Sequence, residues 1–299
     1  MKNCINAYLI TCQTNLHVGS GTGDQGVIDN LVQRDPVDDM PAIYASSLKG
    51  AFREFMKFYL PQNDLETIFG SENPVGRSDS KSQRLKKGEI IFHDAILFSV
   101  PVRSNKRPYF HATCPMLLKR IVEFRDLLIL DREEKKKLFF FQNLEGILAG
   151  LKGRNKYPYV GVDIDSLIIE SFNRFTKEES KLSEMMKECV APEENWVIFS
   201  DEEFRMLVDN YSLPVIARNY LNNGESKNLF YEQIVPRQSR FVFFISSYSG
   251  DITKISKANG QFDQAIQRGA VQIGANASIG YGYCKLETIA KVGGTDDEK

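Results

Sequence analysis

The 299-residue chain carries 38 Lys+Arg against 39 Asp+Glu, a formal charge of −1 with neutral His, and is 42% hydrophobic, 26% charged and 11% aromatic. That balance excludes wholesale disorder and a protein that coats nucleic acid by bulk positive charge, but leaves room for a local basic track. No run approaches the ~20 apolar residues of a membrane span, and Met1-Lys-Asn-Cys-Ile-Asn6 lacks a signal-peptide core. The 5 scattered cysteines and 3 histidines suit neither a disulfide framework nor a zinc cluster, so a cytoplasmic setting with reduced thiols and no membrane is expected.

Residues 5–14, rich in apolar and β-branched types, predict a buried first strand. A loop with Gly19, Gly21, Gly23 and Gly26 follows. Ser46-Ser47 precede Leu48, Ala51, Phe52, Phe55 and Tyr59, a helical spacing that predicts an N-capped amphipathic helix to about Leu60, stopped by Pro61. Residues 71–88 are polar and locally basic and predict an exposed loop or hairpin insertion. A strand over 89–100 and helices near 114–130 and 132–150 come next. A second insertion, about 130–225, includes a basic knot of Lys152, Arg154 and Lys156 beside Tyr157 and Tyr159. Within it Trp196–Phe199 reads as a short strand and Asp201–Val208 as a capped helix. The apolar runs 229–235 and 240–248, split by Pro236-Arg-Gln-Ser239, predict a hairpin. A helix over about 262–271, a glycine-rich stretch from Gly274 to Gly282 and a strand to about Ala290 close the pattern, with 291–299 expected to be a disordered tail. Strand–helix–strand at the front and hairpin–helix–strand at the back give the element order of an α+β fold with a single ferredoxin-like (RRM-like) core over 1–290, carrying helical and hairpin insertions.

Gly21-Thr-Gly-Asp-Gln-Gly26 is a literal G-x-G-x-x-G, but the chain runs to Pro36 with no room for the helix whose amides would meet a pyrophosphate. The loop instead offers flexible backbone that can approach a phosphodiester. Asp29, just past it, reads either as a solvated or Asx-turn carboxylate or as a group that holds a divalent ion or accepts a proton. His17 stands equally as its partner or as a structural loop residue. Lys49 and Arg53 share one helical face near the positive end of the helix dipole, which suits phosphates and also suits an ordinary solvated face. Gly280-Tyr-Gly-Tyr283 echoes the strand motif on which RNA-recognition folds stack bases. His93 and His111 sit in apolar context and read as structural, Cys114 has no evident partner base, and neither Gly-x-Ser-x-Gly nor a Walker lysine is present.

Together, His17-Val-Gly-Ser-Gly21, Gly26-Val-Ile-Asp29, Gln33-Arg34, Ser46-Ser-Leu-Lys-Gly-Ala-Phe-Arg53, Ile68-Phe-Gly70, Asp94-Ala-Ile-Leu97, Pro101-Val-Arg-Ser104 and the stretch from Gly274 to Gly282 resemble, in order, the RAMP-superfamily CRISPR proteins. The Pro-Val-Arg-Ser and Gly-Val-Ile-Asp elements are most similar to the repeated backbone subunit of type III-B (Cmr) effector complexes. The resemblance implies a subunit that polymerises head-to-tail along a CRISPR RNA with other Cmr-complex subunits. A thumb-like element would splay the guide–target duplex at intervals, and an aspartate would cleave single-stranded target RNA with a divalent metal (Mg2+ or Mn2+). By motif position that aspartate is Asp29, the loop histidine is His17, and Lys49, Arg53, Arg34, Ser47, Gly274, Gly280, Tyr281 and Gly282 fall on the RNA-binding side. Residues 77–87 and 152–159 are the candidate thumbs. A purely architectural guide-binding subunit and a metal-independent CRISPR RNA-processing nuclease are the alternatives.

Overall fold

A computed structural model describes residues 5–21, 27–71, 86–129, 132–135, 138–178, 181–190, 195–222, 225–247 and 252–292. In chain order the elements are β1 (Ile5–Cys12), β2 (Ala42–Ile43), α1 (Ala45–Met56), α2 (Gln62–Phe69), β3 (Ile90–Phe92), β4 (Ala95–Val102), β5 (Phe110–Thr113), α3 (Pro115–Leu128), α4 (Arg132–Lys135), α5 (Phe139–Leu151), β6 (Tyr159–Val160) and β7 (Thr176–Lys177). They continue with α6 (Lys181–Cys189), β8 (Trp196–Ile198), α7 (Asp201–Val208), β9 (Val215–Asn222), β10 (Glu225–Gln233), β11 (Arg240–Ser247), α8 (Ile252–Ile266), β12 (Val271–Gln272) and β13 (Tyr283–Val292).

The fold is α+β, built on one 11-stranded mixed sheet of order β12-β13-β1-β11-β4-β5-β8-β6-β7, with β2 on β4 and β3 on β11. Its centre, β13-β1-β11-β4, is antiparallel throughout. β1, β11 and β4 are covered on both faces and read as near-continuous apolar runs, whereas β13 alternates, with Tyr283, Lys285 and Glu287 exposed and Cys284 and Leu286 buried. Successive β1 residues take opposite sides, as strand geometry requires. Tyr8, Ile10 and Cys12 join Phe52 of α1, Phe69 of α2 and Phe262 of α8. Ile5, Ala7 and Leu9 join Leu118 of α3, Phe141 of α5 and Met186 of α6. β11 repeats the division, with Phe241 and Phe243 on the first side and Val242 and Phe244 on the second. Phe52 has ring centroids 5.4 Å from Phe243 and 5.0 Å from Phe262, so truncating it costs about 3–5 kcal/mol.

Several expectations need correction. The predicted hairpin across Pro236–Ser239 does not form, because β10 pairs with β9 in a separate two-stranded sheet while β11 pairs with β1, β3 and β4. The intervening chain crosses from one sheet to the other and is tied down by a Leu16–Val235 bridge. The predicted strand 89–100 is two strands broken at His93-Asp94. Asp94 is spent on α1: its Oδ1 accepts the Ala45 N–H at 2.6 Å, while the N-cap residue is Tyr44 and Ser46-Ser47 lie inside the helix. The last helix occupies 252–266, with Ala258, Phe262, Ala265 and Ile266 buried at helical spacing. α7 is as expected, with a complete capping box between Ser200 and Glu203. Most of 71–88, and 293–299 of the expected tail, lie outside the described residues.

Candidate functional site

Beyond the end of β1, loop 13–21, segment 27–36 and the glycine loop before β13 meet under the β9–β10 hairpin. Segment 27–36 has no helix, as the failure of the dinucleotide pattern requires, and is extended, with bridges Gly19–Val32, Asn30–Glu232 and Arg34–Pro41. The glycine loop is laced to loop 13–21 by Ala275 N–H to the His17 carbonyl at 2.9 Å and Gly282 N–H to the Asn15 carbonyl at 2.8 Å.

Asp29 is exposed and held at both ends by one residue of β10. Its amide donates to the Tyr231 carbonyl at 3.0 Å, and its Oδ2 accepts the Tyr231 N–H at 2.7 Å. No protein donor to its other carboxylate oxygen is found among the described residues. Asn30 N–H also donates to the Tyr231 carbonyl at 3.1 Å, and the Val32 N–H donates to the buried Gln233 Oε1 at 3.2 Å. The Asp29 segment therefore behaves as an added strand edge on the hairpin.

His17 is buried. Its Nδ1 lies 2.7 Å from the Gln233 carbonyl, which can only accept, so Nδ1 carries the hydrogen. Its Nε2 is 3.4 Å from Glu232 Oε1. The structure thus attaches His17 and Asp29 to adjacent residues of β10 and shows no direct contact between the two. Gly19 is small for this reason: a Cβ there would stand 3.2 Å from His17 Nε2.

Gln33 fastens the loop to α1. Its Nε2 donates to Ser47 Oγ at 3.0 Å and to the Gly19 carbonyl at 3.2 Å, and its Oε1 accepts the Tyr44 N–H at 2.8 Å. Arg34 directs Nη1 to the Asp39 carbonyl at 2.7 Å and Nη2 to the Val208 carbonyl at 2.8 Å, and burial lowers its pKa. Arg53 is half-buried and donates to the Gly70 carbonyl at 3.0 Å. Lys49 is exposed. At Gly274 and Gly282, both with positive φ, a Cβ would overlap the His17 and Ile273 carbonyl oxygens respectively; at Gly280, φ +82°, it would meet nothing within 4 Å. Tyr281 is partly exposed beside it.

Three polar residues escaped sequence reasoning. Buried Glu232 accepts from Asn276 Nδ2 at 2.7 Å and from Arg218 Nη1 at 3.2 Å, and Arg218 Nη1 also donates to Asn276 Oδ1 at 2.6 Å. The signal that could have found them is Asn223-Gly224, a strong two-residue hairpin turn signal that predicts Asn222 opposite Glu225 and Arg218 opposite Leu229; a register shift between Ser226 and Asn228 moves Arg218 opposite Phe230, two residues before Glu232.

The remaining titratable groups are structural. Burial lowers His93, which shares a 2.8 Å bond with Ser246 Oγ, and pushes His111 down to about 3, with Arg240 adding to the effect. Burial raises the Cys114 thiol well above its usual range, against a nucleophilic role. In 152–159, Arg154 pairs with Glu178 and lies over the Tyr159 ring and Tyr159 is buried in β6, while Lys152, Asn155 and Lys156 are exposed. Residues 77–85 of the other candidate thumb lie outside the described residues.

Among the described residues no group of three His, Cys, Asp or Glu side chains is placed to hold a metal. The donor chemistry fits a hard divalent cation in one way: exposed Asp29 offers a carboxylate oxygen without a protein donor among the described residues, and Mg2+ commonly binds through one or two carboxylates with its other positions filled by water and substrate phosphate. No helix among the described residues is long and apolar enough to cross a membrane.

Residues 9–285 match the family model of the RAMP superfamily, and the chain belongs to it. Among curated relatives, it is 39% identical to the CRISPR system CMR subunit Cmr4 of Saccharolobus solfataricus over 95% of this chain and 96% of that one. It is 27% identical to the CRISPR system Cmr endoribonuclease Cmr4 of Pyrococcus furiosus over 97% and 99%. Among solved structures, a chain of the type III-B Cmr-beta complex bound to cognate target RNA superposes with TM-score 0.73 at 22% identity, covering 95% of this chain and 97% of that one. Oligomeric Cmr4 from Pyrococcus furiosus superposes with TM-score 0.65 at 23% identity, covering 97% and 100%. At these identities the structural likeness speaks to the fold.

Proposed function

We propose that this chain is the CRISPR RNA-binding backbone subunit of a type III-B (Cmr) effector complex, repeated head-to-tail along the guide beside other Cmr subunits, and that it is the endoribonuclease that cuts guide-paired target RNA. The observation that carries the reading is exposed Asp29, held at its amide and one carboxylate oxygen by Tyr231 while the other oxygen has no protein donor among the described residues. The near-full-length relationship to Cmr4 proteins supports it. The core is read as ferredoxin-like, in keeping with the β13-β1-β11-β4 order and the crossovers that contain α1 and α8. A cytoplasmic location agrees with the buried free thiols Cys12, Cys114, Cys189 and Cys284.

RNA carries its own nucleophile. In-line attack by a 2′-OH on the adjacent phosphorus breaks the bond to the 5′ oxygen and leaves a 2′,3′-cyclic phosphate and a 5′-OH. A regular A-form helix holds the 2′-OH out of line, so a displaced nucleotide is required, and positioning supplies much of the acceleration. The β9–β10 hairpin is the element we assign to that displacement: it stands apart from the main sheet with Leu229 and Tyr231 partly exposed, and it carries the Asp29 platform. Asp29 accepts the 2′-OH proton or would hold a divalent cation beside the scissile group. Asp29 is the residue that would hold a Mg2+ or Mn2+ ion, which would supply neutralisation of phosphoryl charge. Lys49 and the open backbone at Gly280 face RNA, whereas Arg34, Arg53 and Ser47 act by fixing the loop and α1 through the bonds described above. Guide pairing delivers sequence specificity and the protein reads backbone and shape, which reconciles RNA binding with a net charge of −1.

The Tyr231 bond to the Asp29 carboxylate also suits a purely architectural subunit in which Asp29 only ties down its loop. The burial of His17, with Nε2 turned to the buried Glu232 carboxylate at 3.4 Å, weighs against a His17 general base and hence against metal-independent guide processing. Purifying the tagged protein from its host, sequencing co-isolated RNA and titrating Mg2+ into a target-cleavage reaction separates the readings. Repeat-derived guides with metal-dependent cuts at regular intervals are expected. Guides without cutting support the architectural role, and an absence of guides overturns the assignment.

A further inference from the structure

We propose that Arg218 is a positioning residue for RNA cleavage: with Asn276 it forms a clasp that locks the β9–β10 hairpin onto the glycine loop and so fixes the strand edge from which Asp29 projects. The inference rests on the Asp29 reading above and extends it.

The clasp is a closed ring of three side chains from three segments. Arg218 Nη1 is shared between Asn276 Oδ1 at 2.6 Å and Glu232 Oε2 at 3.2 Å, and Asn276 Nδ2 returns to the same Glu232 oxygen at 2.7 Å. Every one of these bonds involves either the Glu232 carboxylate or the guanidinium, which makes them the stronger kind. Glu232 is buried, so removing Arg218 leaves a desolvated carboxylate with Asn276 as its remaining donor and the His17 ring at 3.4 Å. The Arg218 guanidinium also lies 5.4 Å from the Phe230 ring centroid, which fixes its direction across the hairpin. Asn276 holds φ +67°, a left-handed conformation that a side-chain amide with two defined partners stabilises.

What the clasp holds explains why it matters. Glu232 follows Tyr231, whose backbone carries Asp29 at both its amide and its carboxylate. The second Glu232 oxygen faces His17, whose carbonyl accepts the Ala275 N–H, so the contacts run from Arg218 through the hairpin and the glycine loop and back to β10. With the clasp open, the hairpin keeps its own strand pairing but loses its side-chain tie to the glycine loop. Because in-line attack tolerates little displacement, a misplacement of about 1 Å at Asp29 costs rate without costing affinity. Arg218 directs Nη1 inward, to Glu232 and Asn276, and it is through these two side chains that it acts on Asp29.

The test uses the assembled complex with guide and labelled target. Arg218→Met keeps the bulk over Phe230, and Asn276→Gly removes the amide at a position where glycine accepts the backbone without strain. Both are expected to lower the single-turnover cleavage rate at saturating target by about a hundred-fold, with unchanged assembly, target affinity, salt dependence of binding and Mg2+ midpoint. Arg218→Lys, which can reach only one of the two acceptors well, recovers part of the rate. Wild-type rates in Arg218→Met and Asn276→Gly, in a preparation where Asp29→Asn is inactive, overturn the proposal, as does a shallower salt dependence of target binding in Arg218→Met, which would make Arg218 a phosphate ligand. If Asp29→Asn itself cuts normally, the Asp29 reading falls alone, and the Arg218 rates still decide whether the clasp positions the cleaving groups.

Discussion

Asp29→Asn separates chemistry from tethering by magnitude. Asparagine keeps the shape of the side chain and an oxygen to accept the Tyr231 N–H now bonded at 2.7 Å, so the attachment of the loop to the hairpin survives and only charge is lost. At this exposed position, weakening a charge-assisted bond to a neutral one costs about 1 kcal/mol or less. A carboxylate that accepts a proton in the transition state contributes roughly 10²–10⁴ in rate, equivalent to about 3–5.5 kcal/mol of barrier at about 1.4 kcal/mol per decade. The assay is single-turnover cutting of end-labelled target by the assembled complex, with target affinity and thermal stability measured in parallel. Asp29→Asn is expected to assemble, melt and bind as the wild type does, while cutting at every site falls at least ~100-fold. Cutting at wild-type sites and rates would reduce Asp29 to a tether and refute the reasoning.

Other expectations follow from the same geometry. Lys49→Ala should lower the slope of log guide affinity against log salt by about one, whereas Arg53→Ala should act on the melting temperature by releasing the Gly70 carbonyl; an unchanged slope in Lys49→Ala removes it from the RNA face. Gly274→Ala should destabilise the fold by more than Gly280→Ala, because both meet the left-handed penalty of about 1–2 kcal/mol but only the former also drives a Cβ into the His17 carbonyl; denaturant midpoints check the order. His111, held neutral in the fold down to about 3 by burial, takes up a proton first in the unfolded chain. Its contribution is therefore complete above the unfolded value of about 6.5 and is lost at about 1.4 kcal/mol per pH unit as pH falls from there toward 3. Denaturation series at successive pH values in that window should show a shallower fall for His111→Gln than for the wild type.

What the sequence made legible was whatever a local pattern determines. β1, β8 and α7 carry apolar runs or a capping box that decide them without distant help, and their observed limits follow those patterns. Asp29 and His17 were legible as candidates because glycines and a family motif frame them. Their attachment was not, since it depends on β10, whose partner β9 begins Val-Ile-Ala-Arg-Asn-Tyr and alternates too weakly to stand out. The apolar runs at 229–235 and 240–248 looked like partners because both are strand-forming, yet β11 is buried on both faces and finds β1, while β10 has a polar face suited to a two-stranded ribbon. Arg53, with Lys49, suggested phosphate contacts by charge and spacing, and Arg34 fell on the RNA side only by the family resemblance; the carbonyls of Val208 and Gly70 that engage Arg34 and Arg53 come from other elements and leave no mark near them in sequence.

The Asp29–Tyr231 attachment joins residues 202 positions apart, and β1 lies between β11 and β13. During synthesis the first strand therefore emerges with neither lateral neighbour available, an apolar ribbon that invites chaperones or aggregation until the carboxyl-terminal third arrives. On the reading proposed above, the Asp29 attachment cannot form until Tyr231 has been synthesised, so a shorter nascent chain could not yet cut RNA.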